Sequence, residues 1–180
     1  MKSSNFENLI KLSIIGHPAV GKTSIMQLIS QNRITTRYLP TQGLDLKSIV
    51  SDNYRLNVWD FGGQQAYIKT YLKNYLVGSD IIFVVTDSTP KNVLNSRELI
   101  DLSKKIVEDE CPIIGIANKQ DLCKTDGRMN ASRVENLLHV QTHGLVAIDP
   151  VQRFKIIDII KKEFDQVLIR KKFNEIDNFL

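Results

Sequence analysis

The amino-acid sequence predicts an α/β fold: a six-stranded, mostly parallel sheet with one antiparallel edge strand and helices on both faces. Three observations predict it. Apolar runs of strand length alternate along the chain with stretches of helical spacing, as strands joined by crossover helices require. Three of these runs, at 10–15, 81–85 and 113–117, are too uniformly apolar to leave one face in water, which is the habit of central parallel strands. The runs at 44–50 and 54–59 are separated only by Ser51, Asp52 and Asn53, too short a connection for a crossover, so they form an antiparallel hairpin at the sheet edge.

In chain order, the first strand is expected at 10–15 and leads into Gly16. A glycine-bounded loop follows, and then the helical run that contains Ile25, Met26, Leu28 and Ile29. The hairpin strands come next, and the fourth strand is expected at 81–86. Thr89-Pro90 places a capping hydroxyl before a proline at the first helical position, which starts a helix near Lys91. The fifth strand is expected at 112–117 and the sixth at 144–148. Asp149-Pro150 repeats the capping pattern and starts a last helix near Val151 that reaches toward Phe179, about 40 Å at 1.5 Å per residue. Ile156, Ile160, Phe164 and Val167 give this helix an apolar stripe, and Phe173, Ile176 and Leu180 extend the pattern.

A chain of 180 residues supports one compact domain, here 1–180 with a long C-terminal helix. Hydrophobic residues at 42% and charged residues at 24% exclude disordered and fibrous classes. The net charge of +4 is mild and the cations are interspersed with acids, so no nucleic-acid partner is expected. Cys111 and Cys123 lack the spacing of a metal site or a disulfide framework, which fits a reducing, cytoplasmic setting. No apolar run is long enough to span a bilayer, residue 2 is Lys and the last five residues contain no Cys, so no lipidation motif is read. Any membrane contact is expected to be peripheral and through a partner.

The chemistry is concentrated in three motifs. Gly16-His17-Pro18-Ala19-Val20-Gly21-Lys22-Thr23, followed by Ser24, matches the glycine-rich phosphate loop G-x-x-x-x-G-K-[ST], with a strand before it and a helix after it. Successive backbone N–H groups and the helix N-terminus attract polyphosphate; Lys22 reaches the terminal phosphates and the Thr23 hydroxyl suits Mg²⁺. Asp60 ends the 54–59 run, where an acid faces the ligand crevice of an open α/β sheet, and Gly62-Gly63 follow, an entropic cost unless the backbone must move or approach a ligand closely. Asn118-Lys119-Gln120-Asp121 begins where the fifth strand ends. Asp121 accepts two hydrogen bonds from adjacent N–H donors, as the N1/N2 edge of guanine offers and adenine does not. Each motif also has a bland reading: a strand-to-helix turn, a helix cap and a polar turn. Their order along one chain favours the nucleotide.

With Pro40-Thr41 added to the phosphate loop, Trp59-Asp60-Phe61-Gly62-Gly63-Gln64 and Asn118-Lys119-Gln120-Asp121, the sequence resembles the small GTPase superfamily and, within it, most closely the ADP-ribosylation factor (Arf) family. It is also similar in part to Rag GTPases and Roc domains. The resemblance implies a P-loop small G domain that binds GTP and GDP with Mg²⁺ and hydrolyses GTP slowly. It implies that Thr41 ligates Mg²⁺ and senses the γ-phosphate, that Asp60 holds the metal through water, that the Gly63 N–H meets the γ-phosphate and that Gln64 orients the attacking water. Asn118 and Lys119 would brace the base pocket, and the Ala147 N–H would meet the guanine carbonyl. Effectors, an exchange factor and an activating protein are implied as partners. The sequence departs from the family at position 2 and in Val146-Ala147-Ile148-Asp149-Pro150, which replaces a small polar run. Two other classes compete: a binding module that holds its nucleotide without cycling, which would need none of Thr41, Asp60 and Gln64, and a P-loop ATPase or kinase, which Asp121 disfavours.

Overall fold

A computed structural model of the chain describes residues 9–30, 44–51, 54–62 and 65–177. Thr41, Gly63 and Gln64, the hairpin residues Asp52 and Asn53, and Phe179 and Leu180 lie outside the described residues.

Six strands, β1 (Leu9–Gly16), β2 (Leu44–Ser51), β3 (Tyr54–Phe61), β4 (Ile81–Thr86), β5 (Ile113–Ala117) and β6 (Thr142–Gly144), form one sheet in the order β2-β3-β1-β4-β5-β6. Every neighbouring pair is parallel except β2 with β3, whose antiparallel register runs from Leu44 opposite Phe61 to Ser51 opposite Tyr54. The expected edge hairpin is therefore present, and the three uniformly apolar runs occupy the centre.

Alternation along these central strands serves two cores. Ile14, Ile81, Phe83 and Val85 point into one, shared with Ile25 and Ile29 of α1 (Lys22–Ile29) and Ile156, Ile160 and Phe164 of α5 (Arg153–Asp177). Ile15, Ile82 and Val84 point into the other, against α2 (Gln65–Leu76), α3 (Pro90–Lys104) and α4 (Ala131–Leu138). All six residues of β4 are buried, so the strand is apolar on both faces because each face meets a helical layer.

Two boundaries differ from the sequence reading, and both differences have local causes. The sixth strand is Thr142–Gly144 rather than 144–148: pairing with β5 stops at Gly144 opposite Ala117, and the apolar residues that suggested a strand turn instead into the top of the domain. Leu145 and Ala147 are buried there and Asp149 N–H closes a turn onto Val146 O at 3.0 Å. The last helix opens with a 3₁₀ turn, Pro150–Gln152, capped by Asp149 through the Val151 N–H at 3.0 Å, and becomes α-helical only at Arg153. The other capping proline behaves as expected: Thr89 accepts from Asn92 N–H and α3 starts at Pro90.

Candidate functional site

The carboxyl ends of β1, β3, β4 and β5 lie side by side, and the loops leaving them carry the motifs. Gly21 caps α1 in the left-handed region, φ 103°, and supplies no side-chain capping hydrogen bond. The N–H groups of that first turn, where Thr23 and Ser24 lie, have no helical acceptor, which is what an anion needs. Lys22 is buried, and among the described residues its ammonium donates to carbonyls of the loop, Gly16 O at 3.0 Å and His17 O at 2.9 Å. Burial pushes its pKa down to about 8, against the opposing pull of Asp60. An ammonium so placed is solvated by the loop it serves, and an arriving phosphate would restore the charge that burial disfavours.

Asp60 is fully buried in β3, opposite Ile14 of β1, and its Oδ2 accepts from the Thr23 hydroxyl at 2.5 Å. Two hard oxygen donors from different elements thus meet beside the phosphate loop, the donor chemistry Mg²⁺ prefers. The residues present fit that ion.

Asn118, buried at the end of β5, ties the base side to the phosphate side. Its Nδ2 donates to Val20 O at 2.8 Å and its Oδ1 accepts from Ala147 N–H at 2.9 Å. A Cβ at Gly21 would stand 2.2 Å from Asn118 Nδ2, so glycine is required there by contact as well as by φ. Lys119, at φ 61°, crosses to donate to Ala19 O at 2.8 Å; Ala19 is itself at φ 62°. Asp121 is exposed in the 3₁₀ turn Gln120–Leu122. Contacts therefore join Gly16, Ala19, Val20, Lys22, Thr23, Asp60, Asn118, Lys119 and Ala147 around one crevice, and Ser24 and Asp121 adjoin them in the chain.

The sequence model of the ADP-ribosylation factor family matches residues 1–174 of this chain. The chain belongs to the Arf family of small GTPases. It is 30% identical over 147 residues to ADP-ribosylation factor-like protein 2 of Drosophila melanogaster, covering 78% of this chain and 77% of that one. Against the protein of the same name from Dictyostelium discoideum the figures are 30% over 142 residues, 75% and 72%. It is 35% identical over 119 residues to ADP-ribosylation factor-like protein 3 of Chlamydomonas reinhardtii; there the match covers 64% of this chain and 66% of the relative, just under two thirds of its length.

As an Arf-like small GTPase, the chain is a guanine-nucleotide-binding molecular switch and a GTP hydrolase. The Ala147 N–H, expected at the guanine carbonyl, donates to Asn118 Oδ1 and so braces Asn118. Sequence reasoning missed Ser88, whose hydroxyl donates to Asn118 O, and Gln120, whose amide donates to the Ser88 hydroxyl. The available signal was weak, a Ser after Asp87 and the variable position of the N-K-x-D motif.

Proposed function

We propose that this chain runs a Mg²⁺-dependent GTP cycle in which the described site holds the nucleotide and the segments carrying Thr41, Gly63 and Gln64 report its γ-phosphate. The observation that carries this reading is the convergence of Lys22, Thr23, Asp60 and Asn118 on one crevice, with the Thr23 hydroxyl against Asp60 and Asn118 joined to the phosphate loop. Mg²⁺ would be held by Thr23 and Thr41, with Asp60 acting through water. When bound, it supplies charge neutralisation on the β- and γ-phosphates. Lys22 holds the terminal phosphates, Gln64 orients water, and Asn118, Lys119 and Asp121 hold and read the base.

No arginine of the motifs is placed to act in cis, so turnover by the chain alone is of the order of 10⁻⁴ to 10⁻³ s⁻¹, and an arginine in trans would raise it by about 10³ to 10⁵. The partners on this reading are an activating protein, an exchange factor and effectors that bind the GTP form. The chain works in the cytoplasm and meets a membrane through one of them.

Single-turnover phosphate release after GTP loading, with and without Mg²⁺, tests the cycle; a pull-down comparing GTP-analogue and GDP forms tests the output. Mg²⁺-independent retention of GTP with no release over many hours would favour a locked binding module instead.

A further inference from the structure

Ser88, just beyond β4, is fully buried and sits at φ 67°, a backbone region that side chains avoid. Such a residue persists only where its surroundings hold it. Its hydroxyl donates to Asn118 O at 2.8 Å and accepts from Gln120 Nε2 at 2.9 Å. The other Gln120 amide hydrogen goes to Met129 O at 3.1 Å, and Met129 N–H returns to Ser88 O at 2.8 Å. The amide orientation follows from chemistry: Met129 O only accepts, so the nitrogen must face it. Ser88, Gln120 and Met129 thereby close a ring that joins the end of β4, the base-reading turn and the segment leading into α4.

Gln120 is held at its backbone too. Its N–H donates to Leu145 O at 3.2 Å, and its Cγ lies against Gly144, where a Cβ would come within 3.2 Å. The residue is thus clamped by β4, β6 and the segment before α4, while the next residue, Asp121, is exposed and takes its position from the turn Gln120–Leu122.

We propose that Ser88 and Gln120 are positioning residues for base recognition, a buried relay that sets the turn carrying Asp121 so that its carboxylate meets both donors of the guanine edge. The inference rests on the reading of Asp121 as the guanine-reading group. Each would act on the base at one remove, Ser88 through Asn118 O and Gln120 through the turn that carries Asp121.

The readout is the ratio of affinities for GDP and for inosine diphosphate, which lacks the 2-amino group and so offers Asp121 one donor instead of two. Ser88→Ala and Gln120→Ala should each narrow the GDP preference by about 2- to 12-fold, the worth of one net hydrogen bond. The double variant should narrow it no further than the larger single, because one relay is broken once. Gln120→Glu, which keeps the size and puts an acceptor against Met129 O, should narrow it too and serves if Gln120→Ala fails to fold.

Arg128→Leu is the control. It frees the same segment from Asp87, where the Arg128 guanidinium pairs at 3.2 Å and donates to the backbone oxygen at 2.7 Å, without touching Gln120. It should lower the melting temperature and keep the GDP preference. Folded relay variants with the wild-type ratio, additive losses in the double variant, or an Arg128→Leu narrowing equal to that of Gln120→Ala would each overturn the relay. A wild-type chain that binds both nucleotides equally would overturn the reading of Asp121 itself, a different result in the same titration.

Discussion

The Thr23 hydroxyl donates to Asp60 Oδ2 across 2.5 Å, joining the first turn of α1 to the carboxyl end of β3. The contact fixes the distance between the phosphate loop and the strand that leads into the Gly62-Gly63-Gln64 segment, so a change at either end is felt at the other.

Thr23→Asn removes the hydroxyl and, on the proposed cycle, a Mg²⁺ ligand that would count for more when a γ-phosphate is present. GTP affinity should fall on the order of tenfold or more relative to GDP affinity, the scale of a lost metal-supporting contact. Titration with fluorescent GDP and GTP analogues in Mg²⁺ and in chelator checks it. Equal losses for the two nucleotides would remove Thr23 from the metal site.

Gly21→Ala should abolish binding of both nucleotides alike. The new Cβ would lie 2.2 Å from Asn118 Nδ2, and Asn118 cannot withdraw without giving up Val20 O and the Ala147 N–H. Gly127→Ala is the matched comparison, because Gly127 is also at positive φ, 61°, but nothing lies within 4 Å of its Cβ position. It should cost about 1–2 kcal/mol of stability from backbone conformation alone and leave affinity intact. If both variants bind GDP as wild type does, the Gly21–Asn118 contact does not govern the site.

The fold was legible because its central strands are apolar on both faces, which β1, β4 and β5 announce directly in sequence. β6 was not legible. Its residues Thr142, His143 and Gly144 are neither β-branched in series nor strongly apolar, whereas Leu145, Val146, Ala147 and Ile148 look like a strand and form a turn that buries Leu145 and Ala147 and exposes Ile148. The phosphate loop, Asp60 and Asn118 were legible from spacing because phosphate and base contacts need fixed backbone geometry. Ser88 and Gln120 were hidden, since their roles arise from hydrogen bonds between segments 32 residues apart in the chain and from a positive φ that no residue type there advertises.

His143 on β6 gives the stability a pH dependence near neutrality. Burial first, then the cations Lys155 and Lys162, push its imidazole below the ordinary value, while Glu163 and Glu135 pull the other way. The sign follows from linkage. The folded state prefers the neutral ring and the unfolded chain binds the proton more readily, so His143 contributes stability above about pH 6.5 that is lost as pH falls through its lower folded value. Denaturant midpoints between pH 8 and pH 5 should therefore fall more steeply in wild type than in His143→Leu. Parallel profiles would mean that carboxylates alone set the acid limit.

α5 runs from Arg153 to Asp177, 25 residues, yet its described core side chains, Ile156, Ile159, Ile160, Phe164 and Val167, all lie in the first 15. Beyond them Arg170 fastens the helix to the loop before β5 by donating to Glu110 O, with Gln166 Oε1 at 3.4 Å on its other nitrogen. Truncation after Arg170 keeps every one of these contacts and removes the extension that carries Phe173, Ile176, Phe179 and Leu180. Nucleotide affinity should be unchanged and the melting temperature should shift by less than about 3 °C, the scale of changes outside a packed core. Self-association or localisation is where the loss should appear, since the apolar pattern of the sequence continues past Val167 through Phe173, Ile176 and Leu180. Calorimetry and sedimentation of the truncated chain decide it: a large fall in melting temperature, or release of bound GDP, would make residues 171–180 part of the domain core rather than a surface for something else.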